Sequence, residues 1–170
     1  PGPPMEETLA SLGMDDTTRE RAFAAYMDFT RAGGWQRAEA FPGMRDLLES
    51  WKDEGLQVVT ATSKGESFAR AILEREGMLE FIGFLGAAQE DGPRRRKADV
   101  IAHVLDNVDV GRGLMIGDRL HDIEGAAQFG LSTVAVTWGY GTPEEWDQAW
   151  ATARTPAELA DIVAAFKEEQ

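Results

Sequence analysis

Three groups of residues in this chain have the types and spacing that phosphoryl chemistry needs. The first is Thr62-Ser63-Lys64, placed directly after an apolar run and ahead of an amphipathic stretch. A hydroxyl with free backbone N–H groups at a helix start makes a phosphate cradle. The same residues would serve equally as a plain helix cap. The second is Lys97, the last of four cations in Arg94-Arg95-Arg96-Lys97. Cations at a helix start oppose the helix dipole, so this cluster calls for an explanation; Arg94 to Arg96 read as a solvated charge run. The third is Asp118 with Asp122, inside Gly-Leu-Met-Ile-Gly-Asp-Arg-Leu-His-Asp at 113–122. Two hard anionic oxygen ligands at a strand tip suit Mg²⁺, which takes one or two carboxylates and leaves room for phosphate. If the turn runs straight into helix, the two carboxylates, four residues apart, share one face. Capping and the helix dipole account for acids at such a place as well.

The elements that would position these groups alternate from residue 42 onward. Pro42-Gly43 is a turn, and Met44, Leu47, Leu48 and Trp51 mark a helix closed by Gly55. A strand is expected over 56–61, a helix carrying Phe68, Ile72 and Leu73, and a second strand over 81–85. A helix over 95–105 follows, then a strand at 114–116, a helix to Phe129 and a strand over 133–137. Pro143 sits at the first turn of a short helix, and an amphipathic helix runs from Pro156 to Phe166. Apolar strands with little alternation imply a sheet covered on both faces, hence parallel α/β. In such sheets ligands bind beyond the carboxyl ends of the strands. Residues 5–32 read instead as a small helical hairpin, with Asp15 or Asp16 capping the second helix and Gly33-Gly34 ending it. Residues 35–41 read as a connector.

Composition excludes several classes of function. The 170 residues allow one domain with a small appendage. A formal charge of −13 argues against nucleic acid and against anionic membranes as partners. There is no Cys, so there is no disulfide, zinc-thiolate site or Cys nucleophile. No apolar run is long enough to span a bilayer, and the expected location is the cytoplasm. The oligomeric state is not legible.

Residues 42–145 resemble the haloacid dehalogenase superfamily, close to its phosphoglycolate phosphatase-like branch. The resemblance is carried by Pro42-Gly43, by 58–64 (Val-Val-Thr-Ala-Thr-Ser-Lys), by 97–101 (Lys-Ala-Asp-Val-Ile), by 117–126 and by 136–141 (Val-Thr-Trp-Gly-Tyr-Gly), in the family's order and spacing. Residues 3–9 also resemble part of the helical cap of that branch. The resemblance implies a Rossmann-like core over 39–170 and a cap remnant over 1–38. It implies that Thr62 and the Ser63 amide bind phosphate and that Lys97 neutralises nucleophile and phosphate. Asp118 would hold Mg²⁺, with Asp122 in support through water. The implied partner is a small phosphorylated metabolite, phosphoglycolate first, and Arg31, Trp35, Arg37 and His121 are possible contributors.

One departure matters. Family members open with a strand ending Asp-x-Asp-Gly-Thr, whose first Asp forms an aspartyl-phosphate and whose second is the acid/base. No such motif occurs here; Asp15-Asp16-Thr17-Thr18 precedes a helix and follows no strand. In the family this strand lies between the one ending at Thr62 and the one ending at Asp118, so those two should face a gap or pair directly. The start, Pro1-Gly2-Pro3-Pro4, has no initiator Met. The sequence is therefore expected to begin inside the protein, without at least the roughly 30 residues of a βαβ-type unit, and to be inactive by itself. The alternatives are a catalytically dead binding or scaffold module and a different reaction of the superfamily, phosphonate hydrolysis or phosphomutase chemistry.

Overall fold

The computed structural model describes residues 5–168, with backbone alone for Glu6 and Glu7. The Pro1-Gly2-Pro3-Pro4 start, including the first two residues of the cap-like stretch, lies outside the described residues.

The chain is α/β with two parallel half-sheets. Strand β1 (Val59–Gly65) pairs in parallel with β2 (Phe84–Ala88). Strand β3 (Leu114–Gly117) pairs with β4 (Ser132–Val136), and β4 pairs with β5 (Ala151–Ala153), again in parallel. No hydrogen bond joins β1 to β3 among the described residues. Of the two outcomes expected, a gap or direct pairing, the gap is found. Its consequence is visible in burial. Inner strands of a parallel sheet are ordinarily buried along their length, and β4 is buried from Thr133 to Val136. Every residue of β1 and of β3 stays half-exposed.

Helices supply the covering layers. Leu47, Leu48 and Trp51 of α3 (Met44–Asp53) and Leu159 and Val163 of α8 (Pro156–Glu168) pack with Val134, Val136 and Ala153 into one core. Helix α5 (Lys97–Asn107) lies on β1 and β2, α6 (Leu120–Ala127) lies on β3 and β4, and the two helices touch. Val100, Ile101 and Val104 of α5 and Ile123 and Ala126 of α6 are buried there. The remaining core helix, α4 (Glu66–Arg75), packs on β1 and β2.

The hairpin is α1 (Met5–Ser11) against α2 (Asp16–Arg31), and of the two candidate caps Asp15 is the one used, accepting from Thr18 N at 2.8 Å. The connector is partly helical, with a 3-10 turn over Gly34–Arg37. It is fastened to the end of α4. Arg75 donates to the carbonyls of Gln36 and Ala38 and lies over the Trp35 ring at 5.7 Å, while Glu76 accepts the Ala40 N–H at 3.1 Å.

Several elements differ from expectation. Strand β1 begins at Val59 because Leu56 still belongs to the end of α3, donating its N–H to the Trp51 carbonyl at 2.8 Å. Strand β2 is displaced because Leu79–Phe81 forms a 3-10 turn that buries Phe81, leaving pairing with β1 to Phe84–Ala88. Strand β5 was unexpected; its three residues carry no apolar pattern and are placed by β4.

Candidate active site

The carboxyl ends of β1 and β3 bring the expected residues to one end of the molecule. Strand β1 runs through Thr62-Ser63-Lys64, and its register with β2 breaks between Thr62 and Gly65. The Thr62 hydroxyl accepts the Lys64 N–H at 3.1 Å. Helix α4 starts on Gly65 with no side-chain cap, so neither Thr62 nor Ser63 is a helix cap.

Lys97, the first residue of α5, spans the gap between the half-sheets. Its ammonium donates to the Ala61 carbonyl, one residue before Thr62, at 2.5 Å and pairs with Asp122 at 2.8 Å. The two side chains are only 14% and 9% exposed, so each charge depends on the other. The backbone of α6 approaches so closely that a Cβ on Gly125 would stand 2.7 Å from Lys97 Cγ.

Asp118 and Asp122 do not share a helix face. Asp118 precedes the N-cap residue, Arg119, and Asp122 is the third residue of α6, turned back over the strand end. Its Oδ2 accepts the N–H groups of Asp118 and Arg119 at 3.0 and 3.1 Å. That return needs Gly117, where any Cβ would overlap Asp122. The capping reading thus holds for Asp122, which caps and pairs with Lys97 at once.

Asp118 is held from the other side by the 138–146 loop. Its Oδ2 accepts the Tyr140 N–H at 2.6 Å, and its carbonyl accepts Trp146 Nε1 at 2.9 Å. Glu145 of α7 (Pro143–Trp146) grips Arg119 through two oxygens, at 2.8 and 3.1 Å, and also accepts the Leu120 N–H at 2.9 Å. These bonds hold the Glu145 carboxyl below its usual range and raise Arg119. Sequence reasoning missed Glu145 and Trp146. Only Pro143 marked that helix, and nothing local ties it to a loop 26 residues earlier.

The other expected residues lie apart. Arg37 of the connector sits over the Phe29 ring of α2 at 5.3 Å, Arg31 is 3.9 Å from Asp28 within α2, and Trp35 lies under Arg75. Arg94 is not solvated: its side chain is 15% exposed, donates to the Ala87 carbonyl at 2.8 Å and pairs with Glu66. The small residues ending β2 leave that carbonyl open to it.

The donor set fits a hard divalent cation. Among the described residues Asp118 Oδ1 accepts no hydrogen bond, whereas both oxygens of Asp122 are engaged. One free carboxylate oxygen with a second carboxylate behind it matches Mg²⁺, which keeps most of its water. No cluster of three or more His, Cys, Asp or Glu suited to a metal exists among the described residues.

The family model for haloacid dehalogenase-like hydrolases matches residues 9–130. The chain belongs to this family. Tyrosine-protein kinase PtkA of Mycobacterium tuberculosis is 38% identical over 162 residues, covering 94% of this chain and 55% of that protein. A 5'-nucleotidase of Pseudomonas aeruginosa is 31% identical, covering 85% and 66%. The chain thus spans about half the length of the first of these relatives. A solved structure described as a predicted phosphatase from Clostridium acetobutylicum superposes with a TM-score of 0.90 at 30% identity, covering 96% of this chain and 78% of that one. The haloacid dehalogenase-like fold therefore extends over the hairpin as well as the core. No helix among the described residues is long and apolar enough to cross a membrane.

Proposed function

We propose that the whole protein is a Mg²⁺-dependent phosphomonoesterase for a small phosphorylated metabolite, of the phosphoglycolate type. The observation that carries this reading is Lys97, which reaches from the carbonyl beside Thr62 to Asp122 and so gathers the three chemical groups across the gap. The Thr62 hydroxyl and the Ser63 amide bind phosphoryl oxygens. Lys97 neutralises charge as it builds on the phosphoryl group, and such preorganised electrostatics are most of what phosphoryl transfer asks of a protein. Asp118, through its free oxygen and steadied by Asp122, holds Mg²⁺, which neutralises phosphate charge when bound. The attacking carboxylate is carried by a further strand seated between β1 and β3, where both edges lack strand partners among the described residues. It takes the phosphoryl group as the ester P–O bond breaks and the alcohol leaves, and water then hydrolyses the aspartyl-phosphate to inorganic phosphate and the free carboxylate. The α1–α2 hairpin is the remnant of a cap over this end of the sheet.

The test is a panel of phosphate monoesters given to the whole protein with Mg²⁺ and with a chelator. The panel includes a 5'-nucleotide, a phosphonate and a sugar phosphate, with ATP plus a tyrosine peptide as a separate arm. Chelator-sensitive phosphate release from small monoesters is expected. Release from the phosphonate alone, isomerisation of the sugar phosphate, transfer to tyrosine, or binding without turnover would each replace the proposal with a different reading.

A further inference from the structure

Charged groups at this end of the molecule are held to very different degrees. Lys64 stands on the wall of a cleft of about 60 Å³, where α2 comes down on the end of β1, and its ammonium has no ion pair and no hydrogen bond among the described residues. Asp118 is gripped on its side chain and on its backbone by a single segment, the 138–146 loop.

That loop is built for close approach. Trp138 anchors its start against the core. Gly139 then passes so near that a Cβ there would overlap the Cβ and Oδ2 of Asp118. A Cβ on Gly141 would overlap the Asp118 carbonyl and stand 2.6 Å from Trp146 Nε1. Neither glycine has a positive φ, so space and not backbone conformation requires them. Between them the Tyr140 N–H meets Asp118 Oδ2, and beyond them the Trp146 indole meets the Asp118 carbonyl. Glu145, locked to Arg119 and to the Leu120 N–H, keeps Trp146 against the turn.

This clasp treats the two carboxylate oxygens unequally. Oδ2 is committed to an N–H, and Oδ1 accepts nothing among the described residues. A carboxylate fixed in this way offers a cation one oxygen. Ca²⁺ accepts a carboxylate through both oxygens and tolerates irregular geometry, whereas the smaller Mg²⁺ demands near-ideal octahedral placement of each ligand. A single rigid oxygen suits Mg²⁺ and denies Ca²⁺ its second contact.

We propose that Gly139, the Tyr140 amide and Trp146 are positioning residues that hold Asp118 to one free oxygen and so make the site prefer Mg²⁺ to Ca²⁺. This rests on the reading of Asp118 as a Mg²⁺ ligand.

The test is cation binding to the whole protein without substrate. Tyrosine amides are labelled with ¹⁵N and followed by NMR during separate titrations with Mg²⁺ and Ca²⁺. The Tyr140 signal is the one absent from Tyr140→Phe, a change confined to a ring that is 64% exposed. Wild type should bind Mg²⁺ more tightly than Ca²⁺. Gly139→Ala should lower Mg²⁺ affinity roughly 10- to 100-fold, the scale for residues that orient a metal ligand, and Ca²⁺ affinity less, so that the ratio of the two falls. Trp146→Phe should lower the ratio roughly 2- to 10-fold, the scale of one hydrogen bond, and carries the test should Gly139→Ala not fold. A role in folding alone would lower the urea midpoint of the metal-free variants and leave the ratio untouched. A ratio equal in the folded variants and wild type overturns the proposal and leaves the Mg²⁺ phosphatase reading intact. A Tyr140 signal that neither cation moves in wild type removes Asp118 as a ligand, and the proposal with it.

Discussion

The Asp118–Asp122 loop and the Lys64 cleft lie at the same end of the molecule and are built in opposite ways. Around Asp118 nearly every polar atom is engaged: Asp122 caps the backbone and holds Lys97, Tyr140 and Trp146 hold Asp118, and Glu145 holds Arg119. Around Lys64 a charge sits half-buried with no partner among the described residues, between a core strand and a hairpin. A buried network that is fully satisfied is rigid and specifies one geometry. A lone cation costs stability unless something arrives to meet it. The contrast sets a fully engaged loop against a cation that has no partner among the described residues.

Substitutions can break that contrast in order of severity. Asp118→Ala in the whole protein should lower phosphatase turnover roughly 100- to 1,000-fold, the scale of one preorganised electrostatic group; near-normal turnover would remove Asp118 from the chemistry. Asp122→Ala leaves Lys97 buried with one neutral partner and uncaps α6. By the scale of broken buried pairs it should cost about 3–5 kcal/mol, read as a lowered midpoint in urea. Glu145→Gln weakens the grip on Arg119 by about 1–3 kcal/mol. Because the Glu145 carboxyl is held below its ordinary value of 4.5, its contribution is full above that pH and disappears as pH falls through the lower folded-state value. Acid titration of stability should therefore be shallower below pH 4.5 in Glu145→Gln than in wild type. Trp146→Phe removes one hydrogen bond to the Asp118 carbonyl and should cost about 0.5–1.5 kcal/mol. An effect on stability as large as that of Asp122→Ala would place the rigidity in the 138–146 loop instead.

Much of this was legible in the sequence because it is local. Helical spacing marked Val100, Ile101 and Val104, a Gly-Asp after an apolar run marked the end of β3, and the motifs placed Thr62, Lys97 and Asp118 at strand ends or helix starts. What stayed hidden depends on distant partners. Arg94 reads as part of a solvated run, yet it is drawn inward by the Ala87 carbonyl and Glu66. Glu145 and Trp146 reach back 26 and 28 residues, a distance no periodicity records. Asp118 and Asp122 have the spacing of a shared helix face. The helix begins two residues too late for that, at Leu120, and Gly117 lets Asp122 fold back instead.

The central proposal is that the edges of β1 and β3, which have no strand partner among the described residues, enclose the place of a further strand that carries the nucleophile. Amide hydrogen exchange on the whole protein tests the structural part directly. The account predicts that the amides of β1 and β3 not bonded to β2 or β4 are protected as strongly as those of β4. Exchange of those amides at the rate of open sheet edges would contradict it, leaving two half-sheets with nothing between them.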